Sequence, residues 1–333
     1  MNYQPGTQIG RYRLLDRIGE GGPNLIFIAE QTEPVKRKVA LKVIKPGLDS
    51  KEVVARFEAE RQALAMMDHP NIVRLLDAGT TEFDRPYFVM DLIRGVPIID
   101  YCEQGRLNLD ERLALFATVC HAVQYVHQTG IIHRDIEPSN VLVTLVDGKP
   151  AAKLIDFGLA KAVSFNVVDP EFAPKFPPQM IGKPAYMSPE QALMSPLNVD
   201  SRADVYSLGV LLYELMTRTT PIEKRLFENA SDDEIRRILA EEMPLKPSQK
   251  VIACGSPPNV VASRATSPRK LSRMLKGKLD GIVMMAIEKD RTRRYQTADA
   301  LAQDIKRYLA GEQILACPPP FGDRLRRYFR RKR

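Results

Sequence analysis

Residues 201–217, SRADVYSLGVLLYELMT, most constrain what this chain can fold into. They are apolar on nearly every helical face, and a helix without a polar face belongs inside protein. Enclosing it takes further helices, so a sizeable helical domain must surround it. Partners are at hand. LDERLALFATVCHAVQYVHQTG, 109–130, reads as a long amphipathic helix ended by Gly130, and 276–310 offers two or three more.

The first ninety residues follow a different period. YRLLDRIG, NLIFIAEQ and KVALKVIK are short, apolar-rich and separated by Gly and Pro, which predicts strands. IVRLLDAG and PYFVMDLI are two more candidates. One helix interrupts them over 51–67, where Val53, Phe57, Glu60, Leu64 and Met67 share a stripe. Stretches 164–181 and 244–270, rich in Pro and Ser, read as loops. No internal repeat is visible. The expected fold class is α+β and bilobal. A small antiparallel-sheet N-lobe with one helix covers 11–91, a larger mainly helical C-lobe covers 92–316, and 317–333 form a tail.

Composition narrows the function classes. The net charge of +8 is concentrated at the end: residues 321–333 carry seven Arg or Lys against Asp323, a net +6, which leaves +2 for the other 320 residues. A nearly neutral body argues against a nucleic-acid-binding core. No run of about 18 apolar residues suggests a membrane span, and MNYQPGTQIGRYRLL lacks the apolar centre of a secretory signal. Cys102, Cys120, Cys254 and Cys317 have no metal-ligand spacing and suit a reducing cytosol.

Three groups of residues suggest chemistry. In IGEGG, 18–22, Gly19 and Gly21 would let a backbone approach phosphates closely. A tight hairpin explains them equally well. A dinucleotide fold would place a helix next, whereas LIFIAE reads as a strand. Strand alternation puts Lys42 of VALKVI on the apolar side with Ala40 and Ile44. It is either an edge lysine reaching for water or a paired cation. Glu60, itself misplaced on an apolar helical stripe, is the natural partner. HRDIEPSN, 133–140, then LIDFGL, 154–159, align Asp135, Asn140 and Asp156. Oxygen donors from adjacent turns suit Mg²⁺.

With IGEGG, VALK, HPNIV, HRDIEPSN, DFG, PAYMSPE and DVYSLGV in order, the chain resembles a eukaryotic-type serine/threonine protein kinase domain of bacteria over roughly 11–311. RFEAERQALAMMDHPNIVRLLDAGTTE and PYFVMDLIRGVPI are similar to kinases of planctomycete-like bacteria. The resemblance implies ATP and Mg²⁺ as cofactors, protein Ser/Thr hydroxyls as substrates, and a cytoplasmic location. Ile18, Gly19, Glu20, Gly21, Gly22, Ile26, Ala40, Lys42, Met90, Asp91 and Ile93 would line the nucleotide site, with Met90 as gatekeeper. Lys42 and Glu60 would form the lobe-bridging pair, Asp135 would orient the substrate hydroxyl, and Asn140 and Asp156 would hold magnesium. Glu190 and Arg294 would brace the large lobe.

The pattern breaks at three positions. Asn24 stands where a third glycine is usual, after Pro23; asparagine tolerates unusual backbone angles better than most residues, so the loop is expected to form with a looser phosphate grip. Glu137 replaces a lysine that contacts the transferring phosphate, and Lys183 replaces a threonine that meets that lysine. The two would then be spatial neighbours with charges exchanged, Glu137 anchoring Lys183 near Asp135. One charge contact at about 4 Å and effective dielectric 20 is worth roughly 4 kcal/mol, so an uncompensated Glu137 would nearly abolish transfer. The alternative is a pseudokinase scaffold that binds nucleotide or a partner. A small-molecule kinase shares the HRD and DFG logic but not MSPE or DVYSLGV.

Segment 159–181 offers Ser164 as its single hydroxyl, and Arg134 as the dock for a loop phosphate. Asp169 or Glu171 would serve instead if no modification is needed. The tail places Phe321, Leu325, Tyr328 and Phe329 at helical steps among its basic residues. That composition fits a solvated tail or peripheral contact with an anionic membrane. The sequence leaves oligomeric state open.

Overall fold

The computed structural model describes residues 3–21, 24–45, 51–156, 183–193, 199–253 and 267–316. Readings that concern Gly22, Pro23, Ser164, Asp169, Glu171 and the tail 317–333 lie outside the described residues.

Six strands form one antiparallel sheet: β1 Gln8–Ile9, β2 Tyr12–Gly21, β3 Asn24–Gln31, β4 Arg37–Ile44, β5 Leu75–Thr80 and β6 Pro86–Asp91, in the order β1-β2-β3-β4-β6-β5. Helix α1, Lys51–Ala65, lies between β4 and β5 in sequence. The sheet separates two cores. Leu14, Leu25, Phe27, Ala29, Val39, Leu41, Val43, Tyr87 and Val89 pack on one face. Ala40, Phe88 and Met90, from the alternate positions, join Phe57 and Leu64 of α1 on the other. Strand β4 is therefore buried on both faces from Val39 to Ile44, where alternation had suggested one apolar face. Pairing on both sides, with β3 and β6, removes any exposed edge.

Asn24 does not draw on asparagine's tolerance of unusual backbone angles. It pairs with Gly21 and Ile44 in regular register and is absent from the positive-φ residues. An extended conformation suits any side chain, so no glycine is needed at this point.

The remainder is mainly helical. Short strand β7, Val96–Pro97, pairs with β8, Val141–Val146, which pairs with β9, Lys149–Leu154. Helices α2 Ile98–Gln104 and α3 Leu109–Gln128 precede β8; α3 starts in a capping box between Asn108 and Glu111. Helix α4 is Pro189–Ala192, and α5, Arg202–Thr217, is buried along its length except Arg202. Then follow α6 Asp232–Glu241, α7 Pro247–Ala253, α8 Pro268–Leu275, α9 Lys278–Ala286 and α10 Ala298–Leu309. At Gly209 of α5 a Cβ would lie 2.7 Å from Ala286 Cβ and Ile287 Cγ2. The glycine is what lets α5 and α9 approach.

Helix α7 corrects the loop reading of 244–270. Its inner face holds Ser248 and Lys250 among the buried residues, so no hydrophobic period shows. Both are satisfied by long-range partners. Ser248 N and Oγ donate to Asp280 at 2.9 and 2.6 Å, and Lys250 Nζ donates to Glu223 at 2.9 Å.

Candidate active site

The antiparallel register brings Gly19 opposite Ile26, Ile26 opposite Lys42 and Lys42 opposite Phe88, one row across four strands. Ala40 lies opposite Met90, and Val39 opposite Asp91. Of the expected nucleotide-lining residues, Gly19, Ile26, Ala40, Lys42 and Met90 thus share one sheet face, while Asp91 ends β6 on the alternate register and Ile93 follows the strand. Ile18 is 51% exposed, whereas Ala40 and Met90 are buried; Ile93 packs on the larger core. Of Glu20 and Gly21 only the backbone pairing, with Leu25 and Asn24, is described.

Lys42 projects from β4 into a buried space under α1. Its Nζ donates to Glu60 Oε1 at 2.6 Å and to Asp156 Oδ1 at 3.1 Å, and sits 5.7 Å from the Phe88 ring centre. Burial works against its charge, but the Asp156 and Glu60 carboxylates outweigh it and hold the ammonium above its ordinary range. Burial likewise pushes the Glu60 carboxyl up, against the pull of Lys42. At Asp156 burial raises, but the Lys42 charge together with hydrogen bonds to Glu60 and Lys42 outweighs it and holds the carboxyl below the usual carboxylate range. One cation thus joins α1 of the sheet lobe to the segment after β9.

Asp135 lies on the loop between α3 and β8. Asn140 Nδ2 donates to Asp135 O at 2.8 Å and Oδ2 at 3.2 Å, and Ile155 N donates to Asn140 O at 3.1 Å. These bonds fasten the Asp135 loop to the strand that delivers Asp156. The remaining candidates are Asn140 Oδ1 and a carboxylate oxygen of Asp156, a group that also bonds Lys42 and Glu60. These two hard oxygens suit a magnesium ion that fills its other positions with water and phosphate. Among the described residues no group of three or more His, Cys, Asp or Glu has metal-binding geometry, which is compatible with so sparse a protein ligand set.

The loop is held from beneath by Asp204, in the first turn of α5. Its fully buried carboxylate accepts His133 N at 2.8 Å, Arg134 N at 2.7 Å and a bond with His127 Nε2 at 2.7 Å. Arg134 has φ +63°, a left-handed conformation that costs on the order of 1 kcal/mol or more in a non-glycine residue. The paired amides bound to Asp204 offset that cost. Asp204 and Glu214 are two acids in a helix apolar on nearly every face, the one signal in the sequence that points to buried partners.

Glu137 and Lys183 meet. Lys183 Nζ donates to Glu137 Oε1 at 2.9 Å, the same oxygen that accepts the Ser139 hydroxyl. Ser139 has no signal of its own in the sequence; its interest depends wholly on Glu137. Farther off, Arg294 is bidentate to Glu190 at 2.5 and 2.8 Å, and Tyr186 donates to Glu214, which also receives Lys224 Nζ at 2.9 Å.

Comparison with known proteins shows the family and the fold. The protein kinase domain family matches residues 12–305. A probable serine/threonine-protein kinase of Clostridium perfringens is 31% identical over 89% of this chain and 38% of its own length. The serine/threonine-protein kinase PknB of Mycobacterium tuberculosis is 32% identical over 92% and 44%, and a probable serine/threonine-protein kinase of Streptomyces coelicolor 34% over 93% and 42%. The chain spans about two-fifths of the length of these curated relatives. A crystal structure of the Mycobacterium tuberculosis PknI kinase domain superposes with TM-score 0.63 at 21% identity, covering 93% of this chain and 99% of that one.

Proposed function

This chain belongs to the protein kinase domain family, and from that premise we propose that it transfers the γ-phosphoryl group of ATP to serine or threonine hydroxyls of proteins. The observation that carries the reading is the convergence of Lys42, Glu60 and Asp156 within hydrogen-bond distance, linked through Ile155 and Asn140 to Asp135. Names of the curated relatives support the substrate class.

In the proposed reaction Lys42 binds and orients nucleotide phosphates, with Glu60 fixing its position. The γ-phosphorus exchanges its bond to the bridging oxygen of ATP for one to the acceptor oxygen. Asp135, steadied by Asn140 Nδ2, accepts the hydroxyl proton. Mg²⁺ held by Asn140 and Asp156 would neutralise charge on the phosphate oxygens. Nucleotide would lie along Ile18 to Gly22, Ile26, Ala40 and the hinge Met90 to Ile93.

The same proposal sets the lobe boundary at residues 91 and 92 and the tail at 317. It keeps the resemblance to planctomycete-like kinases, which rests on the wording of 56–82 and 86–98. It places the chain in the cytoplasm without a nucleic-acid partner. Among the described residues no helix is long and apolar enough to cross a membrane. The net +6 of 321–333 is the support for peripheral contact with an anionic bilayer.

Transfer of label from γ-labelled ATP to the chain itself and to a generic basic protein tests the reading, with Asp135→Asn as control. Incorporation well above the control is expected; equality with it would rule the activity out.

A further inference from the structure

The loop that carries Asp135 holds a second carboxylate in an unusual state. The Glu137 side chain is only 9% exposed. Its Oε1 accepts Ser139 Oγ and Lys183 Nζ, the latter at 2.9 Å, and its Oε2 has no hydrogen-bond partner among the described residues. Two residues from Asp135, this anion would face the nucleotide's phosphates as a like charge unless a cation accompanies it.

Lys183 is that cation. It immediately precedes the 3₁₀ turn Pro184–Tyr186, whose proline stiffens the backbone, and its side chain is 61% exposed. A lysine so exposed ordinarily gains little from an ion pair and moves freely. This one faces a buried carboxylate with an empty oxygen, and releasing it would leave a buried anion uncompensated. The ammonium is therefore held in place, with donors to spare for a ligand.

We propose that Lys183 binds the γ-phosphoryl group during transfer and that Glu137 is its positioning residue. The inference rests on the kinase reading above. Fixed before substrate arrives, the cation needs no reorganisation as charge develops on the phosphoryl oxygens. The Glu137–Lys183 pair is neutral, so the loop gains a directed donor without adding net negative charge beside Asp135. Placing this cation on the segment that leads into α4, and not on the Asp135 loop, makes phosphoryl binding depend on both segments being docked.

Two measurements on the full chain test this, with Lys183→Thr, Lys183→Arg, Glu137→Lys and the double variant Glu137→Lys/Lys183→Thr. The first is affinity for Mg-ATP against Mg-ADP. Lys183→Thr should weaken ATP binding about tenfold and leave ADP within about twofold, because only ATP carries the γ-phosphate; Lys183→Arg should keep the preference. The second is kcat. Each single charge change should lower it by roughly 100-fold, and the double variant should recover at least about tenfold over the worse single, since it returns a cation to the pair. Unchanged ATP-over-ADP preference in Lys183→Thr, or a double loss equal to the product of the single losses, would overturn the proposal. Wild-type transfer no greater than Asp135→Asn would defeat the kinase reading instead, and nucleotide preference alone would then decide the role of Lys183.

Discussion

Arg294 spends every N–H it has, two of them on Glu190. Its Nη1 and Nη2 meet the two Glu190 oxygens at 2.5 and 2.8 Å across 104 residues of sequence. Its other donors reach the carbonyls of Glu288, Arg202 and Lys289. The guanidinium also lies 5.0 Å from the Tyr206 ring centre. This single side chain ties α4, α5 and the segment after α9 into one block beneath the Asp135 loop.

Arg294→Lys should therefore be far from conservative. An ammonium offers three donors without the planar fork, leaving Glu190 and several carbonyls under-satisfied in a dry site. Breaking a buried pair of this kind costs on the order of 3 kcal/mol. A fall in Tm of at least about 6 °C by differential scanning fluorimetry is the expected result; a shift under about 2 °C would show that the block tolerates the loss.

Lys42 and Glu60 should separate in size of effect. Lys42→Met removes the cation between Glu60 and Asp156 and should lower kcat/KM by about 1,000-fold or more. Glu60→Gln leaves Lys42 its bond to Asp156, and should lower kcat/KM by roughly tenfold. Steady-state kinetics on both variants checks the order. Equal losses would mean that Asp156 alone cannot hold Lys42 in position.

Acid should weaken the fold in two stages. Burial holds His133 below the ordinary histidine range, so the unfolded chain takes up a proton first as pH falls below about 6.5, and stability drops by up to ~1.4 kcal/mol per pH unit for that group. His69 and His121 are shifted in the same direction, chiefly by burial. Asp204 is the opposite kind of group. Burial raises its pKa, but the bond with His127, its other charged neighbours and the loop amide outweigh this and hold it below the usual carboxylate value. Its contribution is present above pH ~4 and is lost as pH falls through the lowered value. Thermal melts from pH 7.5 to 3.5 should show both limbs, and His133→Phe should flatten the first. An unchanged slope between pH 6.5 and 5 would sink the assignment to His133.

Much of this architecture was legible in one dimension. The strand-to-helix change near residue 92, the buried helix 202–217 and the spacing of Asp135, Asn140 and Asp156 all follow from local periodicity and local loop chemistry. Lys42 and Glu60 could be paired from sequence because each offended its own local pattern, and only one partner relieved both. Glu137 and Lys183 could be paired only through the resemblance, as departures at two positions that it implies are neighbours, and the fold puts their atoms 2.9 Å apart. Other features had no local signature. Helix α7 looked like a loop because its buried Ser248 and Lys250 are satisfied by Asp280 and Glu223, 32 and 27 residues away. Only the register placed Asn24 in an ordinary strand. The support of His133 and Arg134 by Asp204 spans about 70 residues. Residue type and spacing determined which elements form, because propensity and amphipathicity act over a few residues. Only tertiary structure decided which buried polar groups are satisfied and by whom, because a hydrogen bond or ion pair needs two atoms within about 3 Å, and chain separation says nothing about that distance.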